Sequence, residues 1–278
     1  MDAGAIRVGD QLGERALEVL AGRRPPVTPR DAATVMLLRP AGPGLEVYML
    51  RRKSSMAFAP GAFVFPGGSV DARDADLQIA WAGPDPAAWG EIFEVGPELA
   101  CALVCAAVRE TFEESGVLLA GPSADSVVAD TTGADWEEDR HALISRSLSL
   151  AEMLARRGLV LRSDLLRPWS RWITPVVEER RFDARFFAAA LPHQQRTRDV
   201  GGEAAEVAWV RPDDAIAAGR RNEIVLWPPT AVTLAELAAC ADVTAALRPR
   251  KVRPLLPEAS VTEGAVWLTL PDDLDYPL

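Results

Sequence analysis

The stretch Arg109-Glu110-Thr111-Phe112-Glu113-Glu114-Ser115-Gly116-Val117 places three glutamates at i, i+3 and i+4. At about 100° per residue they share one face of an α-helix. Like charges at that spacing repel by a few tenths of a kcal/mol. A cation relieves the repulsion, and carboxylates that leave room for waters and phosphate oxygens suit Mg2+ or Mn2+. The stretch therefore reads as a divalent-metal platform carried on a helix.

Working outward, Pro97-Glu98 opens that helix, because proline suits a first turn and glutamate its dipole, and Gly116 closes it. Cys101, Val104, Cys105, Val108 and Phe112 fall opposite the acid face. Ala106 and Ala107 flank it and are expected to leave room for a ligand. Upstream, Phe65-Pro66-Gly67-Gly68 ends a short apolar strand, and paired glycines let a backbone approach a ligand. Ser69–Gly96, with Asp71, Asp74, Asp76, Trp81 and Trp89, reads as an insertion. It begins beside the platform, so it is expected to line or cover the cleft and help choose the substrate.

Residues 1–31 read as a lead-in with a short helix around Gly13–Leu20. Ala32–Arg39 and Leu45–Arg51 read as a hairpin. Residues 121–168 read as a second, helical insertion, with helices at Trp136–Ser147 and Leu150–Arg157. Strands are expected at Trp169–Pro175, Phe182–Ala190 and Ala205–Val210. Helices are expected at Ala215–Arg220, capped by Asp213 or Asp214, and at Ala231–Ala239. A main domain at 32–220 would then carry a C-terminal helical extension, 221–278, with edge strands at Val252–Leu256 and Val266–Leu270. The layout is α/β, with a helix over a sheet.

The 278 residues allow one large domain with additions. A formal charge of −10 argues against a broad nucleic-acid surface. It does not oppose phosphate-bearing small molecules, whose charge a metal offsets. No apolar run reaches the roughly 18 residues of a membrane span. The first residues lack a signal-peptide pattern, and Asp275-Tyr276-Pro277-Leu278 is not a peroxisomal address. With three cysteines, a cytoplasmic, disulfide-free protein is expected. Cys101, Cys105 and Cys240 have no histidine neighbours and read as buried hydrophobes, not zinc ligands. His141 and His193 are isolated, so a catalytic triad has no support.

These residues resemble the Nudix hydrolases, whose signature ends Arg-Glu-apolar-any-Glu-Glu-any-Gly-apolar. Arg109 to Val117 match it, except that Thr111 takes the apolar slot, and Phe65-Pro66-Gly67-Gly68 matches the family's lead-in. The first half departs. The spacing from Gly68 to Arg109 is about 27 residues longer than the family's, and the glutamate eight positions before the arginine is Cys101. Glu98, one turn earlier, is the candidate to replace it as partner of Arg109. The split signature is similar to the peroxisomal, coenzyme A-cleaving branch of the family. So are Ala106–Glu110, Gly116–Ala120, Trp172-Ile173-Thr174-Pro175 and Arg181–Phe187, and the resemblance spans roughly Ala32 to Pro212.

The resemblance implies an α/β/α sandwich with a mixed sheet, helical insertions and a C-terminal extension. It implies Mg2+- or Mn2+-dependent hydrolysis of a diphosphate, of coenzyme A or acyl-coenzyme A to phosphopantetheine and adenosine 3′,5′-bisphosphate. The alternatives are a hydrolase of ADP-ribose, NADH or another nucleoside diphosphate derivative, and a non-catalytic nucleotide sensor. Metal ligation is carried over to Glu113 and Glu114 with the Gly67 carbonyl, and Glu110 becomes a further ligand or the base. Arg109 orients the glutamates, and Gly68 lies against the substrate. A base outside the signature would come from Glu178, Glu179, Glu203 or Glu206. Arg51, Arg52, Lys53, Arg180 and Arg181 are candidates for a 3′-phosphate, and Trp172 or Phe63 for adenine stacking. The expected partners are a small nucleotide-type substrate and a second copy in a homodimer, with neither nucleic acid nor membrane.

Overall fold

A computed structural model describes residues 5–7, 10–53, 59–198, 204–262, 265–271, 274 and 276–278. Its largest sheet is built on the strand Arg30–Pro40. Phe182–Ala190 runs parallel to that strand, with Val35 opposite Phe187. Arg167–Ile173 pairs antiparallel on the outer side of Phe182–Ala190, and Pro254–Leu255 pairs beyond it. On the other side lie Leu45–Arg52 and then Ala204–Val210. Parallel and antiparallel pairs thus make the sheet mixed, as expected.

The alternation of the central strand decides what each face carries. Ala33, Val35 and Leu37 face a core shared with the helix Pro97–Ser115. Met36 and Leu38 face a second core with Ala231, Val232, Leu234 and Leu237 of the helix Pro228–Ala238. The result is helix, sheet, helix in layers, an α/β/α sandwich.

The helix Pro97–Ser115 starts at Gly96 and stops at Gly116, which adopts φ 74°, a left-handed cap that favours glycine. Cys101, Val104, Cys105, Val108 and Phe112 are buried as its wheel implies. Ala106 and Ala107 are buried too, which corrects the expectation of ligand room beside them. The helix Pro86–Phe93 also packs on this helix, so it is enclosed well beyond its sheet-facing stripe.

The two insertions are knitted together. Trp81 pairs in parallel with Leu161, and Ala120 pairs with the same residue from the other side. Ser163 donates its hydroxyl to Ala82 O at 2.9 Å and Pro84 O at 2.8 Å. The first helix runs Asp10–Leu20, and Ala5–Arg7 pairs with Ala265–Thr269, which also pairs with Glu258–Thr262. The helix Pro212–Arg220 is entered through Arg211 without a side-chain cap. Proline at its first position fixes the entry there, so Asp213 and Asp214 lie inside the first turn instead of capping it. Among the described residues, no helix is long and apolar enough to cross a membrane.

Candidate active site

The glycine turn folds back as the short strand Gly67–Ser69, antiparallel to the central strand, with Gly67 opposite Thr34 and Gly68 opposite Ala33. That pairing brings it against the acid helix. Gly67 N–H donates to Glu114 Oε2 at 2.8 Å. A Cβ on Gly68 would lie 2.4 Å from Glu110 Oε1, so only glycine leaves the carboxylate its place. A Cβ on Gly67 would meet backbone, Ala33 O at 2.5 Å and Thr34 Cα at 2.8 Å. The two halves of the signature, 41 positions apart from Gly68 to Arg109, are therefore joined in space.

Arg109 organises the face. It is 8% exposed. Its Nη1 donates to Glu110 Oε1 at 2.6 Å and Glu113 Oε1 at 3.2 Å. Its Nη2 donates to Ser69 O at 3.1 Å, tying the helix to the glycine strand. Its Nε and Nη2 form a fork on Asp74, at 3.0 and 2.9 Å. Glu98 is exposed and is not the partner. It lies eleven positions before Arg109, about 16 Å along the helix axis, whereas Asp74 arrives from outside the helix.

Burial, opposed by Arg109, pushes the Glu110 carboxyl up to about 7. Burial raises Glu113 as well. Burial works against the Arg109 charge, but its hydrogen bonds to Asp74 and the charges of the neighbouring carboxylates outweigh it and raise its pKa. Thr111, in the apolar slot of the signature, is fully buried and donates its hydroxyl to Ala107 O at 2.7 Å. That bond is how a polar side chain is accommodated there.

At the last turn of the acid helix lies a second charged group that sequence reading missed. Arg140, 1% exposed, donates to the Glu113 carbonyl at 2.8 Å and to both carboxylate oxygens of Glu137. Arg198 reaches Glu137 Oε2 at 3.1 Å. The Arg140 hydrogen bond holds the Glu137 carboxyl down at about 2. Asp74 was visible only as one acid of the insertion. Its signal was its place six positions after Gly68, the spacing from glycine to first acid in the signature, with the extra residues falling between it and Arg109.

The other candidates are scattered. Arg51 is exposed and faces Glu206, also exposed, at 3.7 Å. Arg52 is half-buried, and Lys53 is exposed. Arg181 is buried and donates to Thr174 O and Val27 O at 3.0 and 2.6 Å, so it serves the backbone and not a phosphate. Arg180 is exposed. Burial raises Glu178, and Glu179 faces Arg15 at 3.6 Å. Glu203 lies outside the described residues. Trp172 and Phe63 are core residues on the sheet face away from the acid helix. Cys101 and Cys105 are buried with Sγ atoms 4.0 Å apart, and Cys240 is half-buried.

The donor set suits a hard divalent cation: carboxylate oxygens crowded beside a glycine backbone that a Cβ would obstruct. Among the described residues, no three acidic, histidine or cysteine side chains converge at metal-holding distance. Arg109 draws Glu110 and Glu113 together, and Gly67 holds Glu114.

The family described as the NUDT19 Nudix domain matches residues 90–237. An acyl-coenzyme A diphosphatase NUDT19 from Gallus gallus is 31% identical over 260 residues, covering 75% of this chain and 68% of that protein. One from Xenopus laevis is 26% identical over 278 residues, covering 84% of this chain and 71% of that protein. A crystal structure of a NUDIX hydrolase from Alicyclobacillus acidocaldarius has a TM-score of 0.70 at 28% identity, covering 81% of this chain and 98% of that one. With more than half of its residues inside the family match, the chain belongs to the NUDT19 Nudix family, hydrolases that act on diphosphate bonds.

Proposed function

We propose that the chain is a Mg2+- or Mn2+-dependent diphosphatase of coenzyme A or acyl-coenzyme A. Its products would be phosphopantetheine and adenosine 3′,5′-bisphosphate. The observation that carries this is the reunion of Glu110, Glu113 and Glu114 with Gly67-Gly68 across an insertion. The relatives named acyl-coenzyme A diphosphatase favour the substrate.

Nudix hydrolases generally use a divalent ion. Here Glu113 and Glu114 would hold it, with Glu110 and the Gly67 carbonyl as further oxygens. When bound, the ion supplies positive charge to the phosphoryl oxygens and makes the attacking water more acidic. Arg109 sets where the Glu110 and Glu113 oxygens stand. Glu110, with its carboxyl near neutrality, suits proton transfer from water. Gly68 gives that carboxylate its space. Arg51 and Lys53, both exposed, are our candidates for the 3′-phosphate.

The sensor alternative drew on the absence of a glutamate at position 101. Asp74 gives Arg109 a carboxylate all the same, which favours the enzyme. The test is a panel of coenzyme A, acetyl-coenzyme A, ADP-ribose and NADH, each with Mg2+ and Mn2+, with products identified by mass. Coenzyme A and its acyl form are expected to turn over fastest. Good activity on ADP-ribose or NADH with none on coenzyme A would refute the substrate and keep the enzyme class.

A further inference from the structure

The second insertion meets the acid helix and the glycine turn at two points six residues apart. Arg140, in the helix Ala134–Ile144, donates to the Glu113 carbonyl at 2.8 Å. Arg146, just past the end of that helix, stands with Nε 3.7 Å from Asp71 Oδ2. Asp71 follows Gly68 by three positions, and its N–H donates to the same Asp74 oxygen that accepts Arg109 Nη2. The end of this helix therefore runs along one rim of the acid face. We infer that Arg146 is a substrate-binding residue that takes a phosphate group of the diphosphate substrate from that rim. The inference rests on the diphosphatase reading above.

The backbone at Arg146 is built for glycine. Arg146 N–H donates to Leu143 O and Ser147 N–H to Ala142 O, both at 2.9 Å, the pair of bonds that ends a helix on a left-handed residue. Arg146 is that residue, with φ 60°. Glycine takes this conformation freely, whereas the Cβ of arginine crowds the backbone. The acid helix and the helix Leu150–Arg157 both end on a left-handed glycine, Gly116 and Gly158. Packing gives no reason for the arginine, because its side chain is 77% exposed.

Charge supplies the reason. Arg73 already forks Asp71, with Nε donating to Oδ1 at 3.0 Å and Nη2 to Oδ2 at 3.2 Å, so the Asp71 charge is matched. Arg73 Nη1 donates to Arg146 O at 2.6 Å, which pins the Arg146 backbone and leaves its guanidinium to reach outward. Arg146 thus adds positive charge to the rim beyond what Asp71 offsets. A planar guanidinium suits two oxygens of one phosphate. Coenzyme A presents such oxygens in its diphosphate and in its 3′-phosphate.

The test measures KM, kcat and Tm of wild type, Arg146→Gly and Arg146→Lys on coenzyme A and on dephospho-coenzyme A, which lacks the 3′-phosphate. Arg146→Gly is expected to raise KM by about tenfold with kcat within about twofold. Its Tm is expected to stay at or above that of wild type, because the left-handed strain is gone. Arg146→Lys keeps the charge and is expected to hold KM within about threefold of wild type. A rise in KM on both compounds assigns the diphosphate to Arg146, and a rise on coenzyme A alone assigns the 3′-phosphate. Wild-type KM on both compounds in Arg146→Gly overturns the inference, and so does a raised KM with a lower Tm, the mark of a structural role. A wild type that cleaves ADP-ribose or NADH and neither of these compounds refutes the substrate, and KM on the compound cleaved then decides Arg146. A wild type that cleaves none of them refutes the diphosphatase reading. Calorimetric binding of inorganic pyrophosphate with Mg2+ then decides Arg146: a loss of about tenfold in Arg146→Gly supports it, and equal affinity overturns it.

Discussion

Two charged groups meet the same helix, and their carboxylates behave in opposite ways. On the side facing the glycine turn, Glu110 and Glu113 share one nitrogen of Arg109, whose other edge is spent on Asp74. Burial drives Glu110 up to about 7 and raises Glu113. At the last turn of the helix, Glu137 takes hydrogen bonds from Arg140 and Arg198, and its carboxyl falls to about 2. The second group is settled by its own cations and holds the fold. The forward group keeps more negative charge than its arginine offsets, which suits it to meet a divalent ion and a diphosphate.

The comparison can be broken first at Glu114. Glu114→Gln removes a carboxylate of the forward group while leaving its size. Charge stabilisation of several kcal/mol is at stake, so kcat on coenzyme A is expected to fall by about 10²–10³-fold. Circular dichroism should show the fold intact.

The glycines separate site from scaffold. Gly68→Ala drives a methyl into the movable end of Glu110, so activity should fall by roughly tenfold to a hundredfold with little loss of Tm. Gly67→Ala drives it into the backbone of Ala33 and Thr34, so Tm itself should fall. Equal effects of the two on Tm would contradict this division.

The second group should yield the smallest effect on catalysis. Glu137→Gln leaves Arg140 buried with a weaker partner, at a cost of about 1–2 kcal/mol, or about 2–5 °C in Tm. The sign with pH follows from a folded pKa below the ordinary 4.5. The stability from the charged group is present above pH 4.5 and is lost as pH falls toward 2. Acid titrations of Tm should therefore converge for wild type and variant across that window, with kcat at neutral pH within about threefold.

What could be read from sequence was what the chain fixes locally. The acid helix, its Pro97 start and Gly116 stop follow from period and backbone preference, and the strands Leu45–Arg52 and Phe182–Ala190 from alternation and apolar runs. Asp74 was legible from its spacing of six after Gly68, whereas Arg198 and Glu137 stand 61 apart and follow no motif. No periodicity links such a pair, because the fold alone decides which loop meets which helix. Ala106 and Ala107 failed for a related reason. A helical wheel gives the angle of a residue but not what packs there, and the helix Pro86–Phe93 came from the insertion. The Arg109 partner was sought within its own helix, at Glu98, and lay outside it.

The most direct measurement is a Mn2+ titration of the substrate-free protein, read by electron paramagnetic resonance of the free ion, on wild type, Glu113→Gln and Glu137→Gln. Glu113→Gln is expected to weaken Mn2+ binding by at least about tenfold, and Glu137→Gln to leave it within about twofold. Equal Mn2+ affinity in all three proteins would contradict the division between a cation-seeking face and a structural one.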